Sequence, residues 1–144
     1  MRVVAFVKST PEIEVARATE PDPQMLIEMG KYNEELAKAG VMLAGEGLHP
    51  SSEGARVVWK GGEITVVDGP FTEAKELVAG YWLWQVKSMD EAIEWARRCP
   101  NPTGEDSVIE LRQVFEAEDF GEAYTPEVAE QERRTRAIVE GPEG

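Results

Sequence analysis

The stretch Val78-Ala79-Gly80-Tyr81-Trp82-Leu83-Trp84-Gln85-Val86 constrains the fold more than any other part of this chain. Its β-branched and aromatic residues mark a strand. Alternation puts Tyr81, Leu83 and Gln85 on one side and Trp82, Trp84 and Val86 on the other. Bulky apolar groups on both sides require cover on both faces of the sheet. Helices of the same chain can supply one cover, and a second subunit or a bound ligand the other.

The helices are signposted by their ends. Asp22 is placed as an N-cap, with Pro23 at the first helical position, where a missing N–H costs nothing. Leu26, Met29, Tyr32 or Asn33, Leu36 and Ala39 then recur at helical spacing, and Gly40 is placed to end the helix in a left-handed cap. Ser88-Met89-Asp90-Glu91 has the pattern of a capping box, followed by the stripe Met89, Ala92, Ile93, Ala96 and Cys99. Pro100-Asn101-Pro102 stops that helix.

Around these helices, Arg2 to Lys8 reads as a central strand, and Ser9 to Asp22, with Thr10-Pro11 and Glu20-Pro21, as a loop. Val41 to Leu48 is a second strand, in which Gly45 and Gly47 mark a bulge or a close approach to the backbone. Ala55 to Lys60 and Glu63 to Asp68 form a hairpin across Gly61-Gly62, and Ser107 to Val114 is the last core strand. The order strand, helix, strand, hairpin, strand, helix, strand predicts an α+β, ferredoxin-like split βαβ subunit with an inserted hairpin. Its open sheet face predicts a homodimer.

Residues 1–114 are expected to form this single domain. Residues 115–144 form an acidic extension, with a helix from Thr125-Pro126-Glu127 to about Val139 that packs on the body or on a second chain. The extension holds nine acids and three bases, a net of −6 out of −13 for the chain. That charge disfavours direct contact with nucleic acid or anionic membranes, and it makes the extension the candidate segment for a protein partner. No apolar run reaches the roughly 18 residues of a membrane span, and the start Met1-Arg2-Val3-Val4-Ala5-Phe6-Val7-Lys8 is too short for a signal peptide, so a cytoplasmic protein is expected. One cysteine, Cys99, and one histidine, His49, exclude an internal disulfide and a Cys/His zinc site within one chain. Cys99 reads as a small apolar residue at a helix end. No phosphate loop, Ser-His-Asp order or His-carboxylate metal spacing is present, so no cofactor or metal is expected. Glu46, Asp68 and Glu76 remain the one carboxylate-only set that could be weighed as a metal site.

The segment Val67-Asp68-Gly69-Pro70-Phe71-Thr72-Glu73-Ala74-Lys75-Glu76 resembles the hallmark of YCII-related proteins of the DGPF type. Gly45-Glu46-Gly47-Leu48-His49-Pro50, Asp90 to Ala96 and Ser107 to Arg112 look like the same family, over roughly residues 1 to 120. The resemblance implies a dimeric α+β barrel of ferredoxin-like subunits. In the broader family it also implies a histidine–aspartate pair in a cleft, with the histidine near the start of the first helix. Here the only histidine is His49, after the second strand. The resemblance further implies a link to partners of alternative sigma factors.

Asp68 ends an apolar strand and is the candidate acid/base group, with His49, whose side-chain type titrates near neutrality, as its candidate partner. Lys75, Glu76 and Tyr81 are candidates to position a small ligand, with Phe71 as a further contact. Each has a local alternative: Asp68 as an acceptor for turn N–H groups, Phe71 as a hydrophobic staple before a short helix begun by Thr72, and Lys75 and Glu76 as a solvated face. The expected function is that of a homodimeric small-molecule-binding protein, or a cofactor-independent enzyme that moves protons or adds or removes water. The competing expectation is a regulatory or interaction module.

Overall fold

The computed structural model describes residues 1–101 and 106–141; Pro102 of the expected helix stop lies outside them. The chain divides into two compact units, Met1–Gln113 and Val114–Gly144.

The first unit is built on a four-stranded antiparallel sheet of β1 (Arg2–Lys8), β2 (Met42–Gly47), β5 (Val78–Gln85) and β6 (Ile109–Gln113), in the order β2-β5-β1-β6. Each split pair, β1 with β2 and β5 with β6, is joined through a helix and separated by one antiparallel strand. This is the ferredoxin-like arrangement read from the sequence. Strands β3 (Ala55–Lys60) and β4 (Glu63–Asp68) pair only with each other, across the Gly61-Gly62 turn.

Helices α2 (Pro23–Lys38) and α3 (Met89–Arg97) supply the residues that cover one sheet face. Their side chains Tyr32, Leu36 and Ala92 are buried with Val3, Ala5, Val41, Trp82, Trp84 and Val86. The Tyr32 hydroxyl donates to the Trp95 carbonyl at 2.6 Å, which ties α2 to α3. Burial holds its phenol well above the usual tyrosine range. The Trp82 indole N–H donates to Asn33 Oδ1 at 2.8 Å. Alternation therefore places Trp82 and Trp84 under the helices, and leaves Val4, Phe6, Tyr81 and Leu83 half-buried on the opposite face.

Several local expectations are met. Asp22 accepts from the Gln24 N–H and Gly40 has φ +73°. The Trp82 ring lies so close to Gly45 that an added Cβ would stand 2.6 Å from Trp82 Cδ1, which explains that glycine as a close approach. The bulge itself falls at the preceding step, between Met42 and Ala44.

Others are corrected. Residues 11–19 are not loop but helix α1 (Pro11–Thr19), capped by the Thr10 side chain. Leu26 is exposed rather than part of the buried stripe of α2. At the start of α3, Ser88 accepts from the Glu91 N–H as a capping box requires, but Glu91 accepts in return from the Lys87 N–H. The last strand starts at Ile109, two residues later than expected, and Val108 is exposed.

In the second unit, a 3-10 stretch (Ala117–Ala123) precedes α4 (Pro126–Glu140), which Thr125 caps by accepting from the Val128 N–H. Phe115 packs tilted against Phe120, with ring centroids 5.1 Å apart, and Phe120 stacks on Tyr124 at 6.4 Å. The Tyr124 hydroxyl donates to Glu132 at 2.7 Å.

Candidate functional site

A cavity of about 520 Å³ opens where the chain leaves β1 and β2, beside the start of β5. Its wall is formed by Ser9, Glu14, Arg17, Leu48, His49, Glu53 and the first residues of β5, Val78 and Ala79. A neighbouring cavity of about 300 Å³ shares Glu14, His49 and Glu53 and adds Ser51, Phe71 and Glu76. The linings combine apolar side chains, Leu48, Pro50, Val78 and Ala79 among them, with polar groups that converge from three segments, the usual character of a small-molecule site.

Each polar group is positioned by a local feature. Thr10-Pro11 starts α1 next to the end of β1, so Glu14 and Arg17, one turn apart, face the cavity. After β2, Pro50 turns the chain into a single 3-10 turn (Ser51–Glu53), which sets His49 and Glu53 side by side. His49 Nδ1 lies 2.8 Å from Glu53 Oε2. With side chains 85 % and 60 % exposed, the pair is screened by water and contributes little to stability. It is open to a ligand, and a carboxylate beside Nδ1 favours the tautomer in which Nδ1 donates and Nε2 accepts.

Glu14 is held more firmly. Its two oxygens accept from the Ser51 N–H at 3.0 Å and the Ser51 hydroxyl at 2.7 Å. The same hydroxyl accepts from the Phe71 N–H at 3.0 Å. Arg17 reaches the Ala79 carbonyl with one N–H at 3.5 Å, a long contact that leaves most of its guanidinium donors for the cavity.

The Asp-Gly-Pro-Phe segment supports this wall. A Cβ on Gly69 would overlap the Ser51 carbonyl oxygen and stand 2.6 Å from its carbon, so only glycine lets the two backbones meet. The Gly69 N–H donates to the Gly54 carbonyl at 2.9 Å. The Arg56 guanidinium lies 3.6 Å above the centre of the Phe71 ring and pairs with Glu76 at 2.9 Å. Phe71 and Glu76 thus hold the base of the hairpin while also lining the smaller cavity. Thr72 does not cap the short 3-10 turn Ala74–Glu76; Glu73 precedes it without a side-chain cap.

Of the residues singled out in the sequence, the structure brings His49, Phe71 and Glu76 to the smaller cavity. Asp68 is exposed at the end of β4, paired across the hairpin with Ala55, and lies outside both linings. Lys75 is also outside them, and its backbone carbonyl accepts from Lys8 Nζ at 2.7 Å. Tyr81 is on the open sheet face, between Phe6 and Glu46. Glu46, Asp68 and Glu76 do not converge, and no group of three ligating side chains among the described residues could hold a metal ion.

Sequence reasoning missed Ser9, Glu14, Arg17, Ser51 and Glu53. A legible trace existed for α1: Thr10-Pro11 with Glu12 and Glu14 behind it is a helix start with acids in the first turn. The four-residue spacing of His49 and Glu53 was visible as well, but means little without the turn between them.

Fold and cavity together define an α+β subunit of ferredoxin-like topology with a strand-end site carrying a histidine and carboxylates. The chain belongs to the YCII-related domain family, which matches residues 1–118. It is 30 % identical over 99 residues to the uncharacterized protein R00369 of Rhizobium meliloti (strain 1021), covering 69 % of this chain and 80 % of the relative. It is also similar to 5-chloro-2-hydroxyhydroquinone dehydrochlorinase (TftG) from Burkholderia phenoliruptrix AC1100, solved in complex with 2,5-dihydroxybenzoquinone. That similarity has a TM-score of 0.43 and 16 % identity, covering 82 % of this chain and 98 % of the other. No helix among the described residues is long and apolar enough to cross a membrane.

Proposed function

We propose that this chain is a homodimeric small-molecule-binding protein whose cavity carries out cofactor-independent acid/base chemistry. One observation supports this above the rest: the exposed His49–Glu53 pair stands at the mouth of a 520 Å³ cavity that Arg17 and the bridged Glu14 also line. His49 takes or returns the proton and Glu53 orients its ring. Arg17 stabilises negative charge that develops on a substrate oxygen, and Leu48, Pro50, Val78 and Ala79 pack the substrate's apolar part. Asp68, Lys75 and Tyr81 take no direct part, since they lie outside the lining. Proton transfer next to a carbonyl, or the addition or removal of water, fits these groups. A second copy covers the open face around Val4, Phe6, Tyr81 and Leu83.

The test is a ligand-detected NMR screen of small polar metabolites against the wild-type chain, H49Q and R17A. Hits that bind the wild type and weaken at least tenfold in both variants support the site. Hits that bind all three alike would remove His49 and Arg17 from it.

The competing function, an interaction module, is favoured by one feature: the second unit leaves Phe115, Ile138 and Val139 largely exposed beside an acidic surface. Deleting residues 116–144 separates the two. Loss of a partner with ligand binding intact supports the module, and unchanged partner binding removes it.

A further inference from the structure

The hairpin β3–β4 belongs to neither the core nor the cavity lining, apart from the residues at its base. Its register pairs Val57 with Val66 and Trp59 with Ile64, so alternation sets all four side chains on one face. They are 50 %, 66 %, 73 % and 65 % exposed in that order, although none carries a polar role. Such a stripe reaches the size of the largest apolar patch a monomer ordinarily shows, roughly 300–600 Å². A two-stranded hairpin is marginal in water without a partner surface.

We infer that this stripe docks onto a second copy of the same chain, as an arm that adds to the dimer contact through the open sheet face; the inference rests on the homodimer proposed above. Three observations select a second copy. A hairpin that needs cover whenever the chain is folded needs a permanent partner, and permanent partners are mostly identical chains. Residues 55–68 carry Arg56, Lys60, Glu63 and Asp68, hence no net charge within a chain at −13, so two copies can meet here without the repulsion they would feel elsewhere. Finally, the stripe alone is short of the roughly 800 Å² per partner of a stable interface, and the open sheet face of the same unit supplies the remainder. The arm is also tied to the site. Arg56 on β3 stacks on Phe71 and pairs with Glu76, so docking the hairpin fixes one wall of the smaller cavity.

The experiment is light scattering coupled to size exclusion on the full chain, with folding checked by circular dichroism. The wild type should run at twice 16.0 kDa. V66K, on the stripe, should fall to the monomer mass, while T65K, on the other hairpin face, should stay dimeric. L83K tests the open sheet face separately. A monomeric wild type overturns both the arm and the homodimer. Monomeric L83K with dimeric V66K and W59K overturns the arm and leaves the proposed dimer standing. Should V66K fail to fold, hydroxyl-radical footprinting of the wild type decides. Trp59 protected in the wild type and oxidised several-fold faster in the L83K monomer supports the arm, and equal rates overturn it. Ligand binding by wild type, H49Q and R17A is scored independently.

Discussion

Gly69→Ala should damage this protein out of proportion to one methyl group. The added Cβ would overlap the Ser51 carbonyl oxygen, approach its carbon to 2.6 Å and lie 3.3 Å from the Ser52 nitrogen. All three are backbone atoms, so no side-chain rotation relieves the clash; the Ser51 turn and the loop must separate. Overpacking of this kind costs about 1–3 kcal/mol. Separation also stretches the Gly69 N–H bond to Gly54, 2.9 Å, and the Phe71 N–H bond to Ser51, 3.0 Å. Each is worth about 0.5–1.5 kcal/mol net. The lower entropy of an unfolded chain with alanine offsets about 0.4–1 kcal/mol. The expected loss is therefore roughly 2–4 kcal/mol, which lowers the urea midpoint by about 1–2 M at an m-value of about 2 kcal/mol/M. The assay is urea unfolding followed by tryptophan fluorescence, since Trp82 and Trp84 are buried. Gly47→Ala is the control, because a Cβ there meets nothing within 4 Å. If the two variants unfold at the same urea concentration, the proximity of Gly69 to Ser51 does not govern that loop.

Asn33→Ala should cost about 1–3 kcal/mol in the same assay, because it strands the part-buried Trp82 indole N–H; a loss below about 0.5 kcal/mol would mean the N–H finds another partner. Burial raises the Cys99 thiol from 9.0 to about 11. The folded state thus favours the neutral thiol. Its contribution to stability is complete below pH 9 and is lost as pH rises towards 11, and alkylation at pH 8 should be much slower in the native than in the urea-unfolded chain. Equal alkylation rates would refute this. The hydrogen bond to Glu132 raises the Tyr124 phenol above its ordinary value of 10.0. E132Q should bring its ultraviolet titration down, and an unchanged titration would place the cause elsewhere. Glu14→Ala removes the acceptor for both Ser51 donors and should weaken ligand binding at least as much as it weakens the fold; a loss of stability with full binding would make Glu14 a structural bridge alone.

The elements that could be read from the sequence are those whose information is local. Asp22-Pro23 and Ser88 start helices because a side-chain oxygen meets an N–H two or three residues on. Gly61-Gly62 closes a hairpin of matched strands. Alternation along residues 78–86 separates the helix-covered tryptophans from Tyr81 and Leu83. Helix α1 escaped because it has no buried residue and therefore no apolar stripe to give a period. Leu26 was misplaced for the converse reason, since helical spacing does not say which apolar residues the sheet covers.

By itself, the sequence determined the order of the strands and of the two helices that pack on the sheet, and the hairpin register, since both follow from side-chain chemistry within one or two turns of chain. The tertiary structure decided the site. Ser9, Glu14 and Arg17, His49 and Glu53, and Ala79 lie on three separate segments and meet only where β1 and β2 end beside the start of β5. It also gave Asp-Gly-Pro-Phe its role. Gly69 and Phe71 are fixed by Ser51, 18 and 20 positions earlier in the numbering, and spacing along the chain cannot encode the packing of one backbone against another.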